Sequence, residues 1–106
     1  MDTIRLISPV DGSLFAERPV ASDGDINAAL DRARAAQAEW ARRPVGERAP
    51  YLLAFLEALL AMNDDIVPEL AWQMGRPVRY GGEKGGVEER TRYMVDLAAT
   101  ALADTQ

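Results

Sequence analysis

The stretch 51–62, YLLAFLEALLAM, limits what the chain can fold into more than any other, because Glu57 is its only charged side chain. A helix that is apolar on every side has to be covered. Leu52, Leu56, Leu59 and Leu60 fall on one stripe, with Leu53 and Phe55 turned toward other neighbours. Full burial of each such side chain stabilises by roughly 1.5–3 kcal/mol. The run is shorter than the about 20 apolar residues that cross a bilayer, and Glu47 and Arg48 stand just ahead of it. It therefore reads as a core helix with the rest of the chain packed around it.

A chain of 106 residues, 48% hydrophobic and 27% charged, has the composition of one small soluble globular domain. Its net charge is -5, and its cations, all arginine except Lys84, are scattered among acids. Nucleic acid and an anionic membrane surface are excluded as partners on that ground, since both need a concentrated basic face. The absence of cysteine removes disulfides, a thiolate nucleophile and cysteine metal ligands. Residues 1–7 alternate in polarity and lack the basic start and apolar run of a secretory signal, so a cytoplasmic protein is expected.

The fold class expected is mainly α with an N-terminal β-hairpin, in a single segment over 1–106. Ile4, Leu6, Leu14, Phe15 and Val20 flank the turn chemistry of SPVDGS at 8–13, which predicts a hairpin over about 4–20. Pro9 sets φ for a type I turn, Asp11 can bond its own backbone, and Gly12 can close the loop. Ser22 and Asp25 have the spacing of a capping box, so a first helix is expected over about 23–42. Its inward stripe is Ile26, Ala29, Leu30, Ala33, Ala36, Ala38 and Trp40, and Pro44 ends it. The central helix is expected over about 47–62, a start that keeps Pro50 in the first turn, where amides lack internal partners. Asn63, Asp64 and Asp65 offer caps for a third helix over about 64–74, with Gly75 as its left-handed terminator and Trp72 as a core anchor. VRYGGEKGG, with four glycines, reads as a loop or frayed helix entrance. A last helix over about 84–103 should turn Val87, Met94, Leu97, Ala98 and Ala101 inward.

Few residues carry chemistry. Asp64, Asp65 and Glu69 suit helix-start capping better than a metal, which takes more converging oxygens. Glu88 and Glu89 are adjacent and so point about 100° apart on a helix, which suits a solvated face rather than an acid and base pair. The glycines at 81–86 follow no strand and match no phosphate-loop pattern. Arg76 and Arg79 suit the negative pole of a helix end as well as a bound anion. With no histidine, no cysteine and no serine beside a base, the chain offers no catalytic, cofactor-binding or metal residue of its own.

The order of motifs resembles the N-terminal region of the aldehyde dehydrogenase superfamily over nearly the whole chain. SPVDGS is similar to the family's Asn-Pro-x-Thr-Gly-Glu hairpin, and Ala33, Arg34, Ala36 and Trp40 follow in the first helix. Pro44, Glu47, Arg48 and the leucine-rich helix resemble Pro-x-x-x-Arg-x-x-x-Leu; Met74, Gly75, Arg76 and Pro77 resemble Glu-x-Gly-Lys/Arg-Pro; and GGVEERTRYM resembles the following helix. Ser8, Asp11, Ser13 and Gln73 depart from the pattern. The resemblance implies the N-terminal helical layer of an α/β enzyme of several hundred residues that oxidises aldehydes to acids with NAD or NADP. The family's cysteine nucleophile, glutamate base and asparagine amide would lie beyond Gln106, so no catalytic residue carries over and no cofactor is expected to bind this chain. Two roles remain: the N-terminal portion of such an oxidoreductase, as a fragment or truncated gene product, or a stand-alone helical interaction module derived from one. A small ligand-binding domain is weaker, because no convergent polar groups mark a pocket. The expected partners are a second copy or the missing remainder of the enzyme.

Overall fold

A computed structural model describes residues 2–105. Two strands, β1 (Thr3–Ile7) and β2 (Leu14–Pro19), lead into helices α1 (Asp23–Trp40), α2 (Val45–Ala61), α3 (Asn63–Met74) and α4 (Lys84–Ala101), with a 3-10 turn at Val78–Tyr80 before the last. The chain is mainly helical behind an antiparallel hairpin, as its patterning predicts. Thr3 pairs with Pro19 and Leu6 with Ala16, but Ile7 pairs with Leu14. Phe15 is therefore an extra residue on β2, a bulge that leaves Phe15 and Ala16 both half-buried instead of on opposite faces. Within the turn, Asp11 Oδ1 accepts from the Ser13 amide at 2.9 Å, and the Gly12 amide donates to the Ser8 carbonyl.

The capping box at the start of α1 is complete. The Asp25 amide donates to Ser22 Oγ (3.2 Å), while the Ser22 amide and hydroxyl both donate to Asp25 Oδ2 (3.0 and 2.7 Å). Beyond that cap, α1 departs from expectation: Ile26, Ala29, Leu30, Ala33, Ala36, Ala38 and Trp40 are all exposed, and the helix buries nothing. A stripe made mostly of alanine offers little area to hold a helix down, and only Trp40 grips the next element, its ring edge-on to Tyr51 at 5.2 Å. The helix ends at Trp40, ahead of Pro44, which serves instead as the N-cap of α2.

Because α2 begins at Val45, Pro50 lies in its second turn and not its first. Proline there leaves the Gly46 carbonyl without its usual partner. Gly46 and Pro50 are both exposed, so water can take that place. Leu56 is the one fully buried apolar side chain among the described residues, at 0% exposure. Its neighbours on the covered face are Ala49, Leu53, Leu59 and Leu60, whereas Tyr51, Leu52 and Phe55 stand open. The buried stripe is thus turned away from Leu52, and the helix is covered on one side only.

One residue joins α2 to α3. Met62 is both the C-cap of one and the N-cap of the other, and no side chain caps α3, so Asn63, Asp64 and Asp65 are helical residues and not caps. Ile66, Val67, Leu70 and Ala71 face inward, while the Trp72 ring is exposed. Gly75 ends α3 with φ of 75°, a conformation only glycine takes without strain, and a Cβ there would press on Pro9 Cγ at 3.2 Å. In α4 the face toward α2 consists of Val87, Thr91, Val95 and Ala98, while Met94, Leu97 and Ala101 are exposed. This spacing makes a narrow two-helix seam and sets a second apolar flank beside it. Arg92 ties the pair by donating to Glu57 of α2 at 2.9 Å and Glu88 of its own helix at 3.0 Å.

Candidate functional site

The residues singled out for chemistry do not converge. Arg76 pairs with Glu83, and Arg79 lies over the Tyr80 ring, 4.9 Å from its centroid, so each arginine is engaged with a side chain of its own surroundings. Glu88 is held by Arg92, and Glu89 projects into solvent. Asp64, Asp65 and Glu69 line no common point, and among the described residues no three acidic, histidine or cysteine side chains do. Of the glycine run, Gly85 and Gly86 are absorbed into the first turn of α4. Gly82 packs against α3, where a Cβ would stand 3.0 Å from Asn63 Oδ1. Only Gly82 is closely packed; around Gly81, Gly85 and Gly86 a Cβ would meet open space, and Gly81 takes a positive φ of 68°.

Two arrangements that the residue pattern did not reveal are polar. Ser8, only 1% exposed, donates from Oγ to the Trp72 carbonyl at 2.6 Å and accepts from the Val10 amide at 3.3 Å. The last four carbonyls of a helix have no internal partner. Ser8 supplies one, and with Pro9 against Gly75 it docks the hairpin turn on the end of α3. Its place ahead of Pro9 and its small donor side chain were visible in the sequence, but the distant carbonyl was not. The second is Arg48, whose Nε is buried without an acceptor.

Arg48 stands at an apolar groove between α2 and α4, where Val45, Ala49 and Leu52 face Met94, Ala98 and Leu102. Nothing in this groove can act as nucleophile, acid or base, so the arrangement is suited to seating another surface and not to chemistry. A second surface lies at the corner of α1 and α2, where Arg43 sits 6.0 Å from the Trp40 ring centre and 5.8 Å from that of Tyr51 and donates to the Tyr51 hydroxyl at 3.0 Å. At exposed sites such cation–π contacts contribute about 0.5–1 kcal/mol.

Comparison with known proteins agrees with the motif order. The aldehyde dehydrogenase family model matches residues 1–105. An N-succinylglutamate 5-semialdehyde dehydrogenase of Caulobacter vibrioides is 39% identical over 80 residues, covering 74% of this chain and 17% of the relative. A vanillin dehydrogenase of Corynebacterium glutamicum is 39% identical over 69 residues, covering 65% of the chain and 14% of the relative. A putative succinate-semialdehyde dehydrogenase [NADP(+)] of Mycolicibacterium smegmatis is 45% identical over 87 residues, covering 80% and 17%. No solved structure matches the chain. The chain thus spans less than a fifth of the length of these relatives. With the hairpin, the four helices and the motifs at Ser8, Pro44, Arg48 and Gly75 in the expected order, the chain belongs to the aldehyde dehydrogenase family, as its N-terminal region.

Proposed function

We propose that this chain is the hairpin and helical layer of an oxidoreductase that converts an aldehyde to a carboxylic acid with NAD or NADP, and that it works only when joined to the rest of that enzyme. The observation that carries this reading is the pairing of family membership with an open apolar surface that holds no reactive group. The names of the relatives support an aldehyde or semialdehyde substrate. The nucleotide and the catalytic groups belong to the remainder, and the isolated chain neither binds NAD nor oxidises aldehydes. A cytoplasmic enzyme is in keeping with helices none of which, among the described residues, is long and apolar enough to cross a membrane. The partner is the remainder of the enzyme or, in its absence, a second copy. Titration calorimetry of the isolated chain with NAD and with NADP tests the first part: no heat of binding is expected, and stoichiometric binding overturns it. The alternative, a stand-alone helical interaction module, is favoured instead if the chain stays a compact monomer at high concentration.

A further inference from the structure

Asp-Gly occurs twice in the chain, at Asp11–Gly12 and at Asp23–Gly24. In such a pair the glycine has no side chain to hinder its amide nitrogen from closing on the aspartate carboxyl carbon. From the way the two pairs are held, we infer that Asp23–Gly24 is a site of spontaneous isoaspartate formation in this chain, and that the fold closes Asp11–Gly12, identical in sequence, to the same reaction. The Gly24 nitrogen bonds to Asp23 Cγ, and the amide proton leaves with the carboxyl hydroxyl as water, giving a five-membered succinimide. Water then adds to one of the two ring carbonyls. Opening at the Asp23 backbone carbonyl leaves the chain running through Cγ, an isoaspartate with a free α-carboxylate; opening at Cγ restores Asp23. No electrons are transferred, and water is the only co-reactant.

In the hairpin turn both reacting groups are engaged. Asp11 Oδ1 accepts from the Ser13 hydroxyl at 2.6 Å and the Ser13 amide at 2.9 Å, which favours the carboxylate, the poorer electrophile. The Gly12 amide donates to the Ser8 carbonyl at 2.9 Å, and Ser8 is itself buried against the end of α3 through the Trp72 carbonyl. Freeing that nitrogen means lifting the turn. At the start of α1 the position is reversed. Asp23 and Gly24 are both exposed, and the cap bonds run between Ser22 and Asp25 and use neither the Asp23 carboxylate nor the Gly24 amide. An amide in the first turn has no acceptor inside its helix. Ring closure needs the Asp23 backbone to leave its helical conformation, and that costs little beyond the cap, because α1 buries nothing that would hold its first turn in place. The product carries one more backbone methylene between Ser22 and Asp25, which puts the capping box out of register.

The test ages the full chain at neutral pH for weeks, once folded and once in urea. Isoaspartate is located by electron-transfer fragmentation of the peptides that hold the two pairs, and its total is read by methyl transfer from a labelled donor with a protein L-isoaspartyl methyltransferase. In the folded chain it should build up at least roughly tenfold faster at Asp23 than at Asp11, and in urea the two rates should agree to within about twofold. Ser8→Ala, which unlatches the turn, should raise the rate at Asp11 and leave that at Asp23 unchanged. Ser22→Ala, which opens the cap, should do the reverse. Equal rates in the folded chain, or a faster rate at Asp11, overturn the proposal. So does reaction at both sites in urea with none at Asp23 in the folded chain, since the cap would then be closure enough. A preference for Asp23 that persists undiminished in urea belongs to the neighbouring side chains and overturns the part assigned to the fold. A rate at Asp23 unmoved by Ser22→Ala overturns the cap as the gate.

Discussion

Ser8 shows how much of the fold can rest on one small side chain. Its hydroxyl holds a helix-end carbonyl that is otherwise unpaired. Ser8→Ala would keep the turn but strand that carbonyl and the Val10 amide, a loss of about 1–3 kcal/mol. Denaturant unfolding measures it, and faster amide exchange across Thr3–Ile7 would show the hairpin lifting from α3. Asp25 offers a second residue-level expectation. The Ser22 hydroxyl, and then the Ser22 amide, hold its carboxyl below the usual carboxylate range, whereas in the unfolded chain it titrates at its ordinary value. A lowered native pKa means the cap contributes fully above the ordinary value and is lost as pH falls through the native one. The first turn of α1 should therefore keep its amide protection from neutral pH into the acid range and lose it only below the carboxylate's ordinary pKa. In Asp25→Asn that acid step should disappear. The capping box and the Asp11 turn were legible in the sequence because both are written within three residues. Ser8 and Arg48 were not, because what decides their state lies 64 residues away for one and across a helix seam for the other.

Among the elements, α1 and α2 fail expectation in opposite ways for the same reason. Periodicity tells which residues share a face but not whether anything stands opposite it. The α2 pattern demanded cover on every side; one face found it in α3 and α4, and Leu52 and Phe55 did not. In α1 the stripe of Ile26, Leu30 and the alanines is well formed and faces solvent. The start of α2 moved by two residues, from 47 to 45, where proline logic was applied too strictly: Pro50 sits in the sixth position of its helix, as Pro68 does in α3, beyond the amides that lack internal partners. A matched pair of substitutions separates the two cases. Leu56→Asp places an unpaired charge at the one apolar site that is fully buried among the described residues and should abolish cooperative thermal unfolding. Leu30→Ala removes a side chain that is 51% exposed and should shift stability by less than about 0.5 kcal/mol in the free chain. A loss of several kcal/mol at Leu30 would mean that α1 packs in solution against a surface it does not touch here.

For the whole molecule the deciding quantity is surface. The chain exposes 8515 Å², against about 5,800 Å² for a compact protein of its 11.6 kDa mass. Its radius of gyration is 18.7 Å, where about 13 Å is usual for a folded domain of this length. Much of the excess is apolar, since Ile26, Leu30, Leu52, Phe55, Met94 and Leu97 are all 40% exposed or more. Such faces exceed what a soluble monomer ordinarily leaves open. The charge of -5 keeps the chain dispersed at low concentration but covers none of that area. The isolated chain should therefore self-associate through helical apolar surface as concentration rises, or bind the remainder of the enzyme when this is supplied separately. Light scattering over a dilution series, together with a hydrophobic dye, reads the outcome. Mass that climbs with concentration while dye binding falls is the expected result, because association hides the surface the dye reports. Small-angle scattering on the dilute chain should give a radius of gyration close to 18.7 Å. A monomer that keeps a radius near 13 Å at every concentration and binds no dye would mean that α1 folds back onto α2 and α4, and the open faces described here would then close on one another.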